Sequence, residues 1–255
     1  MRLFHRDLGG SGLLPLVILH GMLGSSRNWQ TAGRDLAEGY HVLAPDLRNH
    51  GGSPHADGMT YPEMLADVLG WLDAQGIAMA TVVGHSMGGK VAMLLACRHP
   101  ERVQRLVVVD MAPKNYFWPA HRVNFAAMNE LDLRRVESRA DAEQRFEARV
   151  PHWAMRKFLA TNLERTDDGS WKWAINLPAI TAALPTLEKN PLERGDGYPG
   201  PTLFVAGGQS VYVGLDDHAT IRGYFPTARI ETIAESGHNP HLTAREKFVA
   251  LVRTA

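Results

Sequence analysis

The sequence predicts an α/β protein, a doubly wound and mostly parallel sheet carrying one inserted helical cap. Three observations lead there. Short runs of Val, Ile and Leu alternate with amphipathic stretches. The runs are continuously apolar rather than polar at every second residue, as strands buried on both faces must be. The alternation also breaks off once, between Met111 and Gly200, before it resumes.

In order, the strand candidates are "PLVILH" (Pro15 to His20), "HVLAP" (His41 to Pro45), "ATVVG" (Ala80 to Gly84), "RLVVVD" (Arg105 to Asp110), "TLFVAG" (Thr202 to Gly207) and "ARIETI" (Ala228 to Ile233). Helices are expected between them. One opens at "TYPE", Thr60 to Glu63, a capping box with Pro62 inside the first turn. The interruption is too long for a structureless loop. Its pattern is mostly helical, so residues 1–110 and 201–255 are read as the core and 111–200 as the cap. Trp118, Trp153, Trp171 and Trp173 fall in this cap together with Phe117, Phe125 and Phe158. Aromatic side chains at helical spacing serve a core more often than a pocket, but their concentration in one insert suits an apolar lid.

Composition narrows the function classes. With 255 residues and 45% hydrophobic content, the chain can bury one substantial core. The 27 Lys and Arg balance the 27 Asp and Glu, so there is no broad electrostatic attraction to nucleic acid or to an anionic membrane, and neither is expected as a partner. Cys97 is the single cysteine, which excludes an intramolecular disulfide and suits a reducing compartment. Arg6 and Asp7 interrupt the stretch where a signal peptide needs apolar residues, and "LLPLVILHG" is too short for a membrane span. The expected setting is the cytoplasm.

The run "ATVVG" leads directly into "GHSMGGKVAMLLACRHP". Gly84-His85-Ser86-Met87-Gly88 is a G-x-S-x-G at a strand-to-helix turn, which lifts the hydroxyl of Ser86 above the sheet as a nucleophile. The free N–H of Met87, at the start of the helix, then faces a developing oxyanion. Gly84 to Lys90 also spells the phosphate loop G-x-x-x-x-G-K. That loop needs Ser or Thr next, and Val91 stands there. At the end of the first strand candidate, His20-Gly21-Met22 supplies the second oxyanion donor from the Met22 N–H, because loops at the carboxyl ends of neighbouring strands converge on one crevice. The side chain of His20 is read as turn packing.

Of twelve histidines, His238 in "ETIAESGHNPH" lies in a Gly-led loop between the last strand and the terminal helix, at the same sheet edge as Ser86. It is the candidate general base. His241 is assigned to the start of the following helix and to structure. The spacing His238-x-x-His241 alone does not make a metal site, and the chemistry requires neither metal nor organic cofactor.

The motifs "HGMLGSSRNW", "PDLRNHGGSP", "GHSMGGK", "VVVDMAP", "GGQSVYV" and "GHNPH" together resemble the α/β-hydrolase superfamily, and within it the branch of small esterases typified by YbfF. The resemblance runs nearly end to end and is weakest in the cap. It implies that the catalytic acid stands at the end of the strand before the cap, here Asp110. It also implies that a serine occupies the more usual acid position and touches the catalytic histidine, here Ser210. The implied substrate is a small acyl ester or thioester, acyl-coenzyme A included. Leu23, Phe117 and Trp173 are the candidate substrate contacts.

Geometry leads to the same acid. If the strands ending at Asp110 and Gly207 are neighbours, their ends lie only about 5 Å apart, and a carboxylate from either can face a histidine arriving from the next strand. Asp216 and Asp217 are the alternatives, but they better suit the opening of a helix. Two further readings stay open: a hydrolase fold that binds a ligand without turning it over, and a carbon–carbon hydrolase or perhydrolase on the same triad.

Overall fold

The computed structural model describes residues 1–254. Its strands are β1 (His5–Gly9), β2 (Pro15–Leu19), β3 (His41–Pro45), β4 (Ala80–His85), β5 (Val103–Val109), β6 (Leu163–Arg165), β7 (Trp171–Trp173), β8 (Thr202–Gly207) and β9 (Arg229–Ile233). The helices are α1 (Gln30–Leu36), α2 (Tyr61–Ala74), α3 (Met87–Arg98), α4 (Pro119–Glu130), α5 (Arg139–Arg145), α6 (Trp153–Ala160), α7 (Leu177–Leu187), α8 (Asp217–Tyr224), α9 (Pro240–Thr243) and α10 (Arg245–Arg253). Seven strands form one sheet in the order β1-β3-β2-β4-β5-β8-β9. All pairs are parallel except β1 with β3.

The fold is the expected doubly wound one, and every strand candidate is a sheet strand. Successive residues of the central strands point to opposite faces. Leu16, Ile18, Val83, Val107 and Val205 pack with Trp29, Leu36, Phe248 and Val252 from the α1 and α10 side. Val17, Leu19, Val82, Val108 and Phe204 pack on the other side with Val68, Val91, Leu95 and Ile221 from α2, α3 and α8. Thr60 caps α2 as its sequence requires: its hydroxyl accepts from the Glu63 N–H, and the Glu63 carboxylate accepts from the Thr60 N–H at 2.9 Å.

Two elements lie outside the sequence reading. β1 was not anticipated, because HRDLG carries Arg6 and Asp7 and so lacks an apolar run. It can be polar because it is the edge of the sheet, where charge also discourages pairing with another chain. The insert holds α4 to α7, but Trp171 and Trp173 stand in a two-stranded antiparallel ribbon rather than in a helix. The alternating "WKW" after the Asp168-Gly169 turn is the signal for that ribbon.

The insert does not pack as a separate body. The apolar cluster on the α3 side of the sheet continues into Trp118, Phe125, Phe146, Leu159, Ile180 and Leu187. Asn176 adds a polar tie, its N–H donating to the Asn49 carbonyl at 3.0 Å and its side-chain amide to the Ala56 carbonyl at 3.1 Å.

Candidate active site

β4 ends in a sharp turn. Ser86 has φ 53° and ψ −119°, a region a non-glycine residue holds at a cost of about 1–3 kcal/mol. Its surroundings over-determine that conformation: the Ser86 N–H donates to the Val109 carbonyl at 3.1 Å, and its carbonyl accepts from the Lys90 N–H at 3.2 Å. A side chain at Gly88 could not be tolerated, since a Cβ there would lie 2.3 Å from the Leu19 carbonyl oxygen and 2.5 Å from that of His20. The first turn of α3 therefore sits directly against the end of β2. Met87 is the first residue of α3, so its N–H has no partner within the helix.

The loop after β2 reaches the same point. A Cβ at Gly21 would stand 3.2 Å from the Cβ of Ser86 and 2.8 Å from Nδ1 of His85, so only glycine admits this approach. His20 and His50 hold the loop from beneath. Nδ1–H of His20 donates to the Gly21 carbonyl at 2.8 Å, while its Nε2 accepts from the Leu47 N–H at 2.9 Å. Nδ1–H of His50 donates to the Arg48 carbonyl at 2.9 Å, and its Nε2 accepts from the Leu23 N–H at 3.1 Å. That bond occupies the Leu23 N–H, so the Met22 N–H remains the candidate oxyanion donor on this loop.

Asp110 follows β5 directly, at φ 49° and fully buried. β5 and β8 are neighbours, with Val109 opposite Val205, and the Asp110 N–H donates to the Val205 carbonyl at 2.8 Å. A buried carboxylate must be met by donors, and three meet this one. The Gly207 N–H reaches Oδ1 at 3.0 Å, Nδ1 of His238 reaches Oδ2 at 2.7 Å, and the Ser210 hydroxyl donates to that same Oδ2. Ser210 thus contacts the carboxylate, where the resemblance implied contact with the histidine. With Nδ1–H committed to Asp110, Nε2 of His238 is the acceptor. The His238 carbonyl accepts from Nε2–H of His85 at 2.8 Å, which fastens the histidine loop to the residue preceding Ser86. Asp216 and Asp217 do open α8, and the Asp217 carboxylate is taken by Lys114 at 2.7 Å.

The three candidate substrate contacts occupy different settings. Leu23 is buried at φ 61°. Phe117 is 72% exposed, with the Arg122 guanidinium 4.7 Å from its ring centre. Trp173 is half-buried in β7 and packs on the main apolar cluster. Beside Leu23 lies a cleft of about 440 Å³, walled by Arg6, Arg27, Asn28, Arg139 and Glu164, which includes neither Ser86 nor His238. The surroundings of His238 are aromatic instead. Tyr212 stacks on it with ring centres 3.9 Å apart, and Tyr116 adjoins Tyr212 at 5.5 Å. Sequence reasoning passed over Tyr212, although it stands two residues after Ser210 in the quoted "GGQSVYV". It read Lys90 only as part of a phosphate-loop spelling and gave it no role here, although it is a charged residue in the first turn of a buried helix. Among the described residues no three or more His, Cys, Asp and Glu gather as a metal site would need.

The buried histidines make acid destructive. Nε2 of His20 and of His50 each accept from a backbone N–H, so a proton on either would set donor against donor. Burial pushes the pKa of His50 and of His241 down to about 3 and that of His121 to about 4; it also lowers His20 and, more strongly, His85. The unfolded chain takes up these protons near its ordinary histidine value of about 6.5 and the folded chain does not. Stability from these groups is therefore complete above that pH and lost as pH falls from 6.5 toward 4 for His121 and toward 3 for His50 and His241. At about pH 5 each group that stays neutral costs about 2 kcal/mol, or about 6 kcal/mol for His50, His121 and His241 together, a large share of the 5–15 kcal/mol typical of a domain. Urea midpoints should fall steeply between pH 7 and pH 5. A flat profile would mean that these rings take up protons without unfolding.

Comparison with known proteins agrees with this fold. The profile of the family described as alpha/beta hydrolase fold matches residues 15–244. The sn-1-specific diacylglycerol lipase ABHD11 of Xenopus laevis is 39% identical over 246 residues, covering 92% of this chain and 77% of the lipase. The esterase YbfF of Escherichia coli K12 is 34% identical over 242 residues, covering 94% of this chain and 91% of that esterase. A solved marine microorganism esterase superimposes with a TM-score of 0.96 at 32% identity, covering 100% of this chain and 99% of that one. The chain belongs to the alpha/beta hydrolase fold family, in its YbfF-like branch, and is a carboxylesterase-type hydrolase.

Proposed function

We propose that the chain cleaves small carboxylic esters or thioesters through an acyl-enzyme on Ser86, with His238 as general base and Asp110 as the acid that orients it. The observation that carries this is the 2.7 Å bond from Nδ1 of His238 to the buried Oδ2 of Asp110, beside a strained serine at a strand-to-helix turn. That bond selects the tautomer whose Nε2 can take the Ser86 proton. Ser86 Oγ then attacks the acyl carbonyl, and the Met22 and Met87 N–H groups receive the oxyanion. Collapse of the tetrahedral adduct expels the alcohol or thiol, which leaves with the proton held by His238. A water deprotonated by the same histidine releases the acid. Ser210 supports Asp110.

Turnover of a short p-nitrophenyl ester, together with labelling of Ser86 by an active-site phosphonate, tests the reading. A folded protein that binds such esters without turning them over would be the ligand-binding alternative. A panel across acyl lengths, thioesters and glycerolipid esters selects the substrate class. Inactivity throughout that panel, with Ser86 still labelled, would favour carbon–carbon or peracid chemistry on the same residues.

The segment 111–200 is proposed to act as a cap over the crevice and to set acyl preference, because its aromatic content suits an apolar acyl pocket. Phe117→Ala and Trp173→Ala should shift the chain-length optimum more than they change turnover of the acetate ester. Unchanged profiles in both folded variants would remove the cap from specificity.

A further inference from the structure

Lys90 lies in the first turn of α3, four residues after Ser86, and is fully buried. A lone ammonium in an apolar interior is strongly disfavoured unless donors and acceptors match, and here they do. Its Nζ donates to the carbonyls of Leu187 at 3.2 Å, Glu188 at 3.2 Å and Lys189 at 2.6 Å. Three N–H donors meet three acceptors, and the first two acceptors end α7, where the helix dipole favours a cation. The rings of Tyr61, Tyr116 and Trp118 surround it at 5.5, 5.0 and 5.4 Å. The Tyr61 hydroxyl donates to the same Leu187 carbonyl at 2.6 Å.

This cluster connects to the crevice by a short path. The Tyr116 N–H donates to the Glu188 carbonyl at 2.7 Å, and the Trp118 N–H donates to the Glu188 carboxylate at 2.6 Å. Tyr116 then donates its hydroxyl to the Tyr212 carbonyl at 2.7 Å, and Tyr212 is the ring stacked on His238.

We infer that Lys90 is a positioning residue: its ammonium clamps the carbonyl end of α7 to the nucleophile-bearing helix and so holds the Tyr116 and Trp118 wall of the acyl crevice in place. The inference rests on the ester-hydrolase reading above. It assigns the lysine no contact with substrate or with the reacting atoms. Burial pushes the Lys90 pKa down to about 7, with Glu188 opposing; the three carbonyl acceptors and the surrounding rings are what favour the charged form.

Lys90→Met keeps the length of the stem and removes every donor. It is expected to raise KM for an octanoyl p-nitrophenyl ester about tenfold, equivalent to about 1.4 kcal/mol. The kcat for the acetate ester should stay within about threefold, and Ser86 should still label fully with phosphonate. Amide hydrogen exchange should accelerate at 187–189 and 116–118. A general loss of stability would instead lower active-site titre and leave KM alone. Where Lys90→Met does not fold, Tyr61→Phe keeps the ring and removes one bond to Leu187, and should shift KM and exchange in the same direction by about threefold. Wild-type KM and wild-type exchange in the folded variant overturn the inference. Failure of wild-type Ser86 to label or turn over any ester would overturn the hydrolase reading instead, so the two failures are distinguishable.

Discussion

Ser86→Ala should fold as the wild type does and lose about 10⁶-fold in kcat, the loss seen when a serine hydrolase is deprived of its nucleophile. The alanine keeps the Cβ, so the strained backbone at φ 53° is neither relieved nor worsened. The Ser86 backbone bonds to Val109 and Lys90 are untouched. Any residual rate then comes from the oxyanion donors and from binding alone. The check is burst and steady-state kinetics on a p-nitrophenyl ester, with circular dichroism to establish folding. A variant that turned over at the wild-type rate would move the nucleophile elsewhere.

The second large effect lies at the other end of the proton path. Asp110→Asn should cost about 10⁴-fold in kcat, because an amide can hold His238 in the wrong tautomer and cannot stabilise the imidazolium formed during transfer. Ser210→Ala should cost tenfold or less. A hydrogen bond to a charged carboxylate is worth about 1.5–3 kcal/mol, but this one is made both before and during proton transfer, so only a part of it, at most about tenfold, appears in kcat. Asp110 would still receive the Gly207 N–H at 3.0 Å and His238 at 2.7 Å. Ser210→Asp in an Asp110→Ala background is the sharper measurement, since both side chains converge on one site and a carboxylate from the β8 side should restore part of the rate. The assignment fails if Asp110→Asn stays near wild type while Asp216→Asn or Asp217→Asn abolishes turnover in a folded protein.

The sheet and the ends of its strands were legible in the amino-acid sequence, because burial on both faces demands continuous apolar runs and that demand is local. Ser86, Met87, Met22, His238 and Asp110 could be singled out for a related reason: each follows a strand within a few residues, so position along the chain already implies position along the sheet edge. β1 escaped because an edge strand needs no apolar run, and the β6–β7 ribbon escaped because three-residue strands leave almost no periodicity.

Other features depend on contacts between residues far apart in the chain. That Ser210 reaches the carboxylate of Asp110 and that Tyr212 lies flat on His238 follow from β5, β8 and β9 being neighbours in the sheet, and that Lys90 gathers three carbonyls from 187–189 follows from how the insert folds back over α3. Side chains drawn from segments between about 25 and 100 residues apart in the chain share no local pattern. Only the packing of the buried interior, which must match each donor with an acceptor and fill each gap between rings, decides which of them meet.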